Sequence, residues 1–258
     1  MKKLNSVCLG SSGSDVILLH GWNRSLIDFK PLADLLVWKH KVHLIDLPGF
    51  GKSDAPPHDW GTEDYAGCIL SYMDEHKIQR AHLIGHSFGG RISLRLAAKH
   101  PERVAGLVLI GSHGLQLQQP LLKSFRSKWI KSLRGLIKWS DAQFGSSLFN
   151  DWFVPKYGSR DYLAAGKLRG TLVKTVTEDQ SANCRLIKAP TLLLWGTRDR
   201  ETPLALGQRF RDLIAGAKLI VLQGQDHYPF RDVGSHLIAH YVLPFLEHAD
   251  NLELEEAA

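Results

Sequence analysis

The chain has 258 residues, 44% of them hydrophobic, which is enough for one large domain with a sizeable core. It contains no run of 18 apolar residues, which excludes a membrane-spanning helix, and no apolar signal segment follows its charged N-terminus, so we expect a cytoplasmic protein. The net charge of +6 permits acidic partners, but no nucleic-acid-binding motif accompanies it, and three widely spaced cysteines favour reduced thiols over a zinc site.

The first half of the chain alternates short apolar runs with amphipathic stretches. After a first strand or hairpin at Lys3–Leu9, each continuous apolar run is typical of a strand buried on both faces of a parallel sheet. These runs are Val16–Leu19, Val42–Ile45, Ala81–Ile84 and Val104–Ile110. Helical spacing indicates helices over Leu26–Trp38, Thr62–Met73 and Arg91–His100. The alternation predicts right-handed βαβ units and therefore an α/β fold with a doubly wound, mostly parallel sheet.

The alternation breaks after Gly111 and resumes near residue 187. Between these points the chain carries three tryptophans and several helical stretches, but no clear buried strand. The later elements are strands at Thr191–Trp195 and Lys218–Leu222 and a helix at Val233–Glu247. We therefore predict a core domain of residues 1–111 and 187–258, with residues 112–186 inserted as a helical cap.

The sequence Gly85-His86-Ser87-Phe88-Gly89 lies between an apolar strand and a helical stretch. It contains Gly-x-Ser-x-Gly, and a strand, a tight turn and a helix in this order place the serine on a sharp corner clear of the sheet. Gly85 and Gly89 remove the Cβ atoms that would clash where the strand and the helix pass closely. The flanking elements favour Ser87 as a nucleophile over a glycine-rich turn with no catalytic role.

A serine hydroxyl becomes a good nucleophile when a base removes its proton, and that base needs a carboxylate to orient it. In α/β sheets, active groups gather at the carboxyl ends of the strands. Asp199 follows the first of the two later strands, and His227 follows the second. We predict Asp199 as the acid and His227 as the base. Asp226 is the competing carboxylate, but it is badly placed to bond the ring of the next residue.

Three other histidines fall near these segments. We expect His86, which is next to Ser87 on the opposite side of the turn, to pack rather than to act in catalysis. His20 is expected to shape the loop after its strand through hydrogen bonds. His113, at the start of the cap, either lines the pocket or lies on the surface.

Taken together, these motifs resemble the α/β-hydrolase fold family with a helical cap, and the resemblance covers nearly the whole chain. The matching segments are His20-Gly21, Asp46–Ser53, the elbow at Ser87, Asp199 and His227. Trp22, Asp46–Gly51 and Pro101–Val104 are also similar to the carboxylesterases that cleave the methyl ester of pimeloyl-acyl carrier protein. The resemblance implies an oxyanion hole formed by the backbone N–H groups of Trp22 and Phe88, and neither a metal nor a cofactor.

The resemblance implies acyl transfer to water through an acyl-enzyme on Ser87. Relatives that open epoxides or displace halides use a carboxylate nucleophile, so a serine argues against both activities. We expect a serine hydrolase that cleaves a carboxylic ester of a small-molecule acyl substrate; thioesters, lactones and amides remain open. The alternatives are hydrolysis of a carbon–carbon bond in a vinylogous diketone by the same triad, and a non-catalytic binder of a small ligand.

Six basic residues and no acidic one lie between Lys123 and Lys138, with aromatic and aliphatic residues between them at roughly helical spacing. This pattern predicts a basic amphipathic helix in the cap. Its apolar face is expected on the pocket, and we assign substrate contact to Trp22, His113 and Trp129. Its basic face either lies in water or docks an acidic partner, such as an acyl carrier protein or an anionic membrane surface.

Overall fold

A mixed sheet forms the centre of the protein. The computed structural model describes residues 4–116, 121–153, 156 and 159–257, and it describes the backbone alone for residues 121–131, 134, 150, 160 and 253–257. Within these ranges the strands are β1 Ser6–Leu9, β2 Asp15–Leu19, β3 Lys41–Ile45, β4 Ala81–His86, β5 Val104–Ile110, β6 Thr191–Gly196 and β7 Lys218–Leu222. Their order is β1-β3-β2-β4-β5-β6-β7, and β1 alone runs antiparallel to its neighbour. The predicted α/β fold with a mostly parallel sheet is confirmed.

Helices connect the strands and cover the sheet. They are α1 Lys30–Leu36, α2 Thr62–Glu75, α3 Phe88–Lys99, α4 Leu121–Phe144, α5 Arg160–Ala164, α6 Arg169–Thr177, α7 Ser181–Cys184, α8 Leu204–Leu213 and α9 Gly234–Ala257. Short 3-10 helices lie at Leu26–Phe29, Pro101–Arg103 and Gly166–Leu168, with a π-helical turn at Phe149–Phe153. Among the helices described, none combines the length and the apolar character that a membrane span requires.

Two hydrophobic cores lie on opposite faces of the sheet. Alternate residues of one strand enter different cores, as Ile17 and Leu18 of β2 do, because successive side chains of a strand point to opposite faces. One core includes side chains of α2, α3 and α8, and the other includes side chains of α1 and α9. Burial on both faces explains why these strands are continuously apolar in the sequence.

The stretch Leu26–Trp38 is not one helix as predicted. A 3-10 turn ends at Phe29 and α1 begins at Lys30, with Pro31 in its first turn. Proline has no N–H and clashes with the carbonyl four residues before it, so a helix tolerates it at the start but not in the interior. The proline therefore sets where the α-helix begins.

The segment between β5 and β6 is helical in its described part. It contains α4 to α7 and no strand within those described residues, in agreement with the predicted pattern. The division into a core and a cap of residues 112–186 stays a prediction. The side chain of Trp129 lies outside the described residues, so its contact with substrate and the docking of a partner on the basic face also stay predictions.

Candidate active site

Ser87 occupies the turn between β4 and α3 with φ 50° and ψ −105°. A positive φ is uncommon for a residue with a side chain and costs about 1–3 kcal/mol, so the surrounding structure must hold it in place. Its N–H donates to the carbonyl of Ile110 at 3.1 Å, and its carbonyl accepts from the N–H groups of Arg91 and His113, both at 3.3 Å. Such a strained strand-to-helix corner is the geometry expected of a nucleophile elbow.

The glycines on either side of the serine allow β4 and α3 to approach each other. A Cβ on Gly85 would lie 2.6 Å from the Cα of Gly90. A Cβ on Gly89 would lie 2.0 Å from the carbonyl oxygen of Leu19 in β2. Both distances are shorter than van der Waals contact, so a larger residue would push α3 away from the sheet. The steric role predicted for these glycines is confirmed.

Asp199 and His227 form a buried pair after β6 and β7. The Nδ1 group of His227 lies 2.8 Å from Oδ2 of Asp199, and since a carboxylate only accepts, the ring donates to it. Asp226 is exposed and accepts instead from the N–H of Tyr228 at 2.8 Å. The structure thus pairs His227 with Asp199, which the sequence favoured, and not with the adjacent Asp226.

The Asp199 carboxylate is held by donors from its own loop. Its Oδ1 accepts from the N–H groups of Glu201 at 2.9 Å and Thr202 at 2.8 Å, and its Oδ2 also accepts from the Thr202 hydroxyl at 2.6 Å. Burial acts to raise the pKa of Asp199, but the hydrogen bonds from His227 and Thr202 outweigh it, and the pKa lies below its ordinary value. Asp199 is therefore ionised at neutral pH and orients the ring.

Sequence reasoning missed Thr202. The local sequence could have indicated it, because the side chain of an aspartate in a turn commonly accepts from backbone N–H groups two or three residues later. In Asp199-Arg-Glu-Thr202 the residue three positions later is a threonine, whose hydroxyl is a further donor.

His86 supports the loop that carries His227. Its Nε2 donates to the carbonyl of His227 at 2.9 Å, and the two ring centroids lie 4.6 Å apart. Burial, together with the neighbouring His227, lowers the pKa of His86 well below its ordinary value, so the ring is neutral. This contact agrees with the packing role expected for His86.

His20 shapes the loop after β2. Its Nε2 accepts from the N–H of Leu47 at 3.0 Å, so the proton lies on Nδ1, which donates to the carbonyl of Gly21 at 2.8 Å. A Cβ on Gly21 would lie 3.5 Å from the Cβ of Ser87, which shows how closely this loop approaches the nucleophile. Trp22 is the next residue of the loop, and Phe88 begins α3, where helix N–H groups lack intrahelical partners. Both residues expected to form the oxyanion hole therefore lie beside Ser87.

A cleft with a volume of about 100 Å³ opens at Ser87. Its lining includes four residues predicted for the site, namely Ser87, Trp22, Phe88 and His113. Glu201 also lines the cleft, and its carboxylate lies 3.4 Å from Nε2 of His227, so this nitrogen lies close to the lining of the cleft. The structure therefore places Ser87 and two expected substrate contacts around one cleft, whereas the roles predicted for Ser87 and His227 stay predictions.

A family model described as alpha/beta hydrolase fold matches residues 16–232. The chain belongs to the α/β-hydrolase fold family. It is 29% identical over 246 residues to a 2-hydroxy-6-oxononadienedioate/2-hydroxy-6-oxononatrienedioate hydrolase of Escherichia coli (strain K12), with 85% of this chain and 82% of that protein covered. The fold and these relatives together mark the protein as an enzyme of the hydrolase class.

Two solved structures share the fold of this α/β hydrolase. A bacterial membrane phospholipase A superposes with a TM-score of 0.75 at 23% identity, covering 96% of this chain and 83% of that one. A meta-cleavage product hydrolase from Pseudomonas fluorescens IP01 superposes with a TM-score of 0.71 at 21% identity, covering 95% and 94%. The narrower resemblance to the pimeloyl-acyl carrier protein methyl esterases stays a prediction.

Trp22 contributes an aromatic wall to the cleft of this hydrolase. The ring is half-buried and makes edge contacts with Phe50 and Phe88, with centroids 4.9 and 5.2 Å away. These contacts fix the side chain, while the expected oxyanion donor is the main-chain N–H of the same residue. The position of the ring agrees with the predicted substrate contact, and the oxyanion role of Trp22 stays a prediction.

His113 makes the stability of this hydrolase depend on pH. Burial, followed by the charge of the neighbouring Arg91, lowers the pKa of His113 to about 4. The unfolded chain takes up a proton near pH 6.5 and the folded chain does not, so stability is lost as the pH falls below that value. Because one pKa unit corresponds to 1.36 kcal/mol, we expect His113 to account for about 2 kcal/mol of stability lost between pH 7 and pH 5.

Urea unfolding at the two pH values measures this loss, with His113→Asn as the comparison. The other buried histidines with lowered pKa values, such as His20 and His86, contribute the same pH dependence to the stability of both proteins. The pH dependence should be smaller in the variant by about 2 kcal/mol. An equal pH dependence in both proteins would show that His113 is not a buried neutral group.

Proposed function

We propose that this α/β hydrolase is a serine hydrolase that cleaves a carboxylic ester through an acyl-enzyme on Ser87. The observation that carries the proposal is the buried 2.8 Å contact between His227 and Asp199, with Nε2 of the same ring 3.4 Å from the carboxylate of Glu201, which lines the cleft at Ser87. A binding protein needs neither a strained serine nor an oriented histidine. The three groups together favour acyl transfer.

In the proposed reaction, His227 takes the proton of the Ser87 hydroxyl as the oxygen attacks the acyl carbon. The backbone N–H groups of Trp22 and Phe88 stabilise the oxyanion, and one such donor typically contributes about 3 kcal/mol to the transition state. His227 then gives the proton to the leaving alcohol. In the second half it removes a proton from water as the water oxygen attacks the acyl carbon, and it then returns that proton to Oγ of Ser87 as the bond to the carboxylic acid breaks.

Asp199 keeps its negative charge throughout. Its hydrogen bond fixes the proton of the neutral ring on Nδ1, which leaves Nε2 free to accept from the serine. The lowered pKa of Asp199 supports this role, since a neutral acid would not stabilise the imidazolium that forms in each half of the reaction.

We also propose that the helices between β5 and β6 form a cap over the cleft. Four residues of this segment line it: Asp161, Leu172, Thr175 and Val176. In this proposal the core supplies the reacting groups, and the cap selects the acyl group. The fold alone does not determine the substrate.

A second candidate is hydrolysis of a carbon–carbon bond in a vinylogous diketone. It is favoured by the relative in Escherichia coli, whose name states that it hydrolyses 2-hydroxy-6-oxononadienedioate. In this candidate the same serine, histidine and aspartate carry the reaction. The scissile bond then distinguishes the two candidates.

Steady-state kinetics on both substrate types tests the proposal. The wild-type protein is assayed with short and long p-nitrophenyl esters and with a dienone from ring cleavage, whose absorbance disappears when the carbon–carbon bond breaks. We expect kcat/KM for the best ester to exceed that for the dienone by at least about tenfold, equivalent to about 1.4 kcal/mol in the barrier. The reverse order would assign the enzyme to the second candidate.

A further inference from the structure

Arg91 is a charged group in the cleft that the proposed mechanism does not use. It lies in the first turn of α3, four residues after Ser87, and it is 6% exposed and lines the same cleft. Placing a charge out of water costs several kcal/mol unless a partner compensates for it. A buried arginine in such a position needs an explanation.

Part of that explanation is structural. One nitrogen of Arg91, Nη1, donates to the carbonyls of Thr175 at 2.5 Å and Glu178 at 3.2 Å, at the C-terminal end of α6. A cation suits this end of a helix, because the last carbonyls carry partial negative charge. The nearby Glu178 carboxylate binds Arg95 at 3.1 Å and Thr62 instead. Among the described residues, no carboxylate forms a salt bridge with Arg91.

The rest of the guanidinium remains available. Within the described part of the chain, Nε and Nη2 of Arg91 have no hydrogen-bond acceptor, and these nitrogens form one edge of a planar fork. That edge matches the two oxygens of a carboxylate, which it binds with two parallel hydrogen bonds. Arg24, the other arginine of the cleft, is already paired with both oxygens of Asp28 at 2.5 and 2.7 Å.

We propose that Arg91 forms a carboxylate-binding subsite, so that the preferred acyl substrate carries a second, ionised carboxyl group. This inference rests on the proposed function for the identity of the substrate, although binding of the anion does not require turnover. Ser87 directly precedes α3 and Arg91 lies in its first turn, so we expect a short carbon chain to separate the scissile carbonyl at Ser87 from the carboxylate.

Other charges in the cleft restrict where the anion can bind. Asp161 and Glu201 line it but are exposed, and their negative charges disfavour a carboxylate beside them. His113, close to Arg91, is neutral at physiological pH, because burial and the arginine lower its pKa to about 4. Arg91 is therefore the group that favours an anion in the buried part of the cleft.

Matched substrates test the subsite. They are the p-nitrophenyl half-esters of glutaric and adipic acid, with the ω-carboxamides of the same length as neutral controls. For at least one length, we expect wild-type kcat/KM to favour the carboxylate by about tenfold or more, or about 1.4 kcal/mol. In Arg91→Gln this ratio should fall to about one, because the neutral amide lacks the charge.

The ratio of kcat/KM for the carboxylate and the carboxamide distinguishes loss of anion binding from loss of packing around Arg91. Loss of the contacts with α6 lowers both activities in the same variant and leaves their ratio unchanged, whereas loss of the subsite changes the ratio. If Arg91→Gln does not fold, as judged by circular dichroism, Arg91→Lys is measured instead; its ratio should fall several-fold, since an ammonium lacks the planar fork. A wild-type ratio near one, or a variant ratio equal to that of the wild type, would overturn the proposal.

A binding measurement keeps this inference distinct from the proposed function. Calorimetric titration of Ser87→Ala with adipate and with adipamide needs no turnover. We expect adipate to bind at least about tenfold more tightly, a difference of about 1.4 kcal/mol. Equal affinities would reject the subsite even if the enzyme cleaves esters. If adipate binds preferentially but the wild-type protein cleaves no ester, the subsite is supported and only the proposed ester hydrolysis is rejected.

Discussion

Replacing Ser87 with alanine should lower kcat on every ester that the wild-type protein cleaves by about 10⁴-fold or more, since loss of a serine nucleophile removes covalent catalysis altogether. The fold should remain, because the Ser87 side chain is small and its turn is held through backbone hydrogen bonds that alanine keeps. Stopped or steady-state assays give kcat, and circular dichroism with thermal melting confirms the fold.

Ser93→Ala is the matched control for this experiment. Ser93 lies on the same helix as the elbow, is fully buried, and donates its hydroxyl to the carbonyl of Gly89 at 2.9 Å. The chemical change is identical, but the residue does not line the cleft. We expect Ser93→Ala to retain kcat within about threefold, or less than 1 kcal/mol. Substantial turnover by Ser87→Ala would mean that another group is the nucleophile.

Asp199→Asn should lower kcat by about 10⁴-fold while the protein stays folded. The backbone N–H groups of Glu201 and Thr202 both donate to Oδ1, so they will hold the oxygen of the new amide there. Its nitrogen then takes the place of Oδ2 and donates toward Nδ1 of His227. The ring must carry its proton on Nε2 instead, which removes the lone pair that accepts the Ser87 proton.

Asp226→Asn provides the comparison, because this carboxylate is the neighbour of His227 in sequence but accepts from the N–H of Tyr228 rather than from the ring. Its kcat should remain close to that of the wild type. If Asp199→Asn kept near-normal activity, or if Asp226→Asn lost as much, then a carboxylate other than Asp199 would orient the base. Both variants are measured by kcat at a pH where the wild type is fully active.

The sequence was sufficient to predict the sheet and the pairing of Asp199 with His227, for physical reasons. Strands buried on both faces must be continuously apolar, so runs such as Val104–Ile110 are recognisable without a structure. In a parallel sheet, residues that follow different strands meet at one edge. That rule led from Ser87 to Asp199 and His227 as its predicted partners, although Asp199 lies 112 positions after Ser87 in the chain.

Contacts that depend on tertiary packing could not be predicted. Arg91 reaches Thr175 across 84 positions of the chain, and that contact exists because α6 ends beside α3. The bond from His86 to the carbonyl of His227 spans 141 positions. No local pattern encodes either contact, whereas the Thr202 hydroxyl lies in a short turn that could have been found. Residues proposed to select the substrate, such as Arg91, are therefore recognised from the structure and not from the sequence.

Labelling with a fluorophosphonate tests the central claim most directly, because the probe reacts covalently with an activated serine. Intact mass spectrometry followed by peptide mapping should show one adduct per chain, located on Ser87. The adduct should be absent from Ser87→Ala and should form far more slowly in His227→Ala, which lacks the base. Labelling at another residue, or equal labelling rates in His227→Ala and the wild type, would contradict a histidine-activated Ser87.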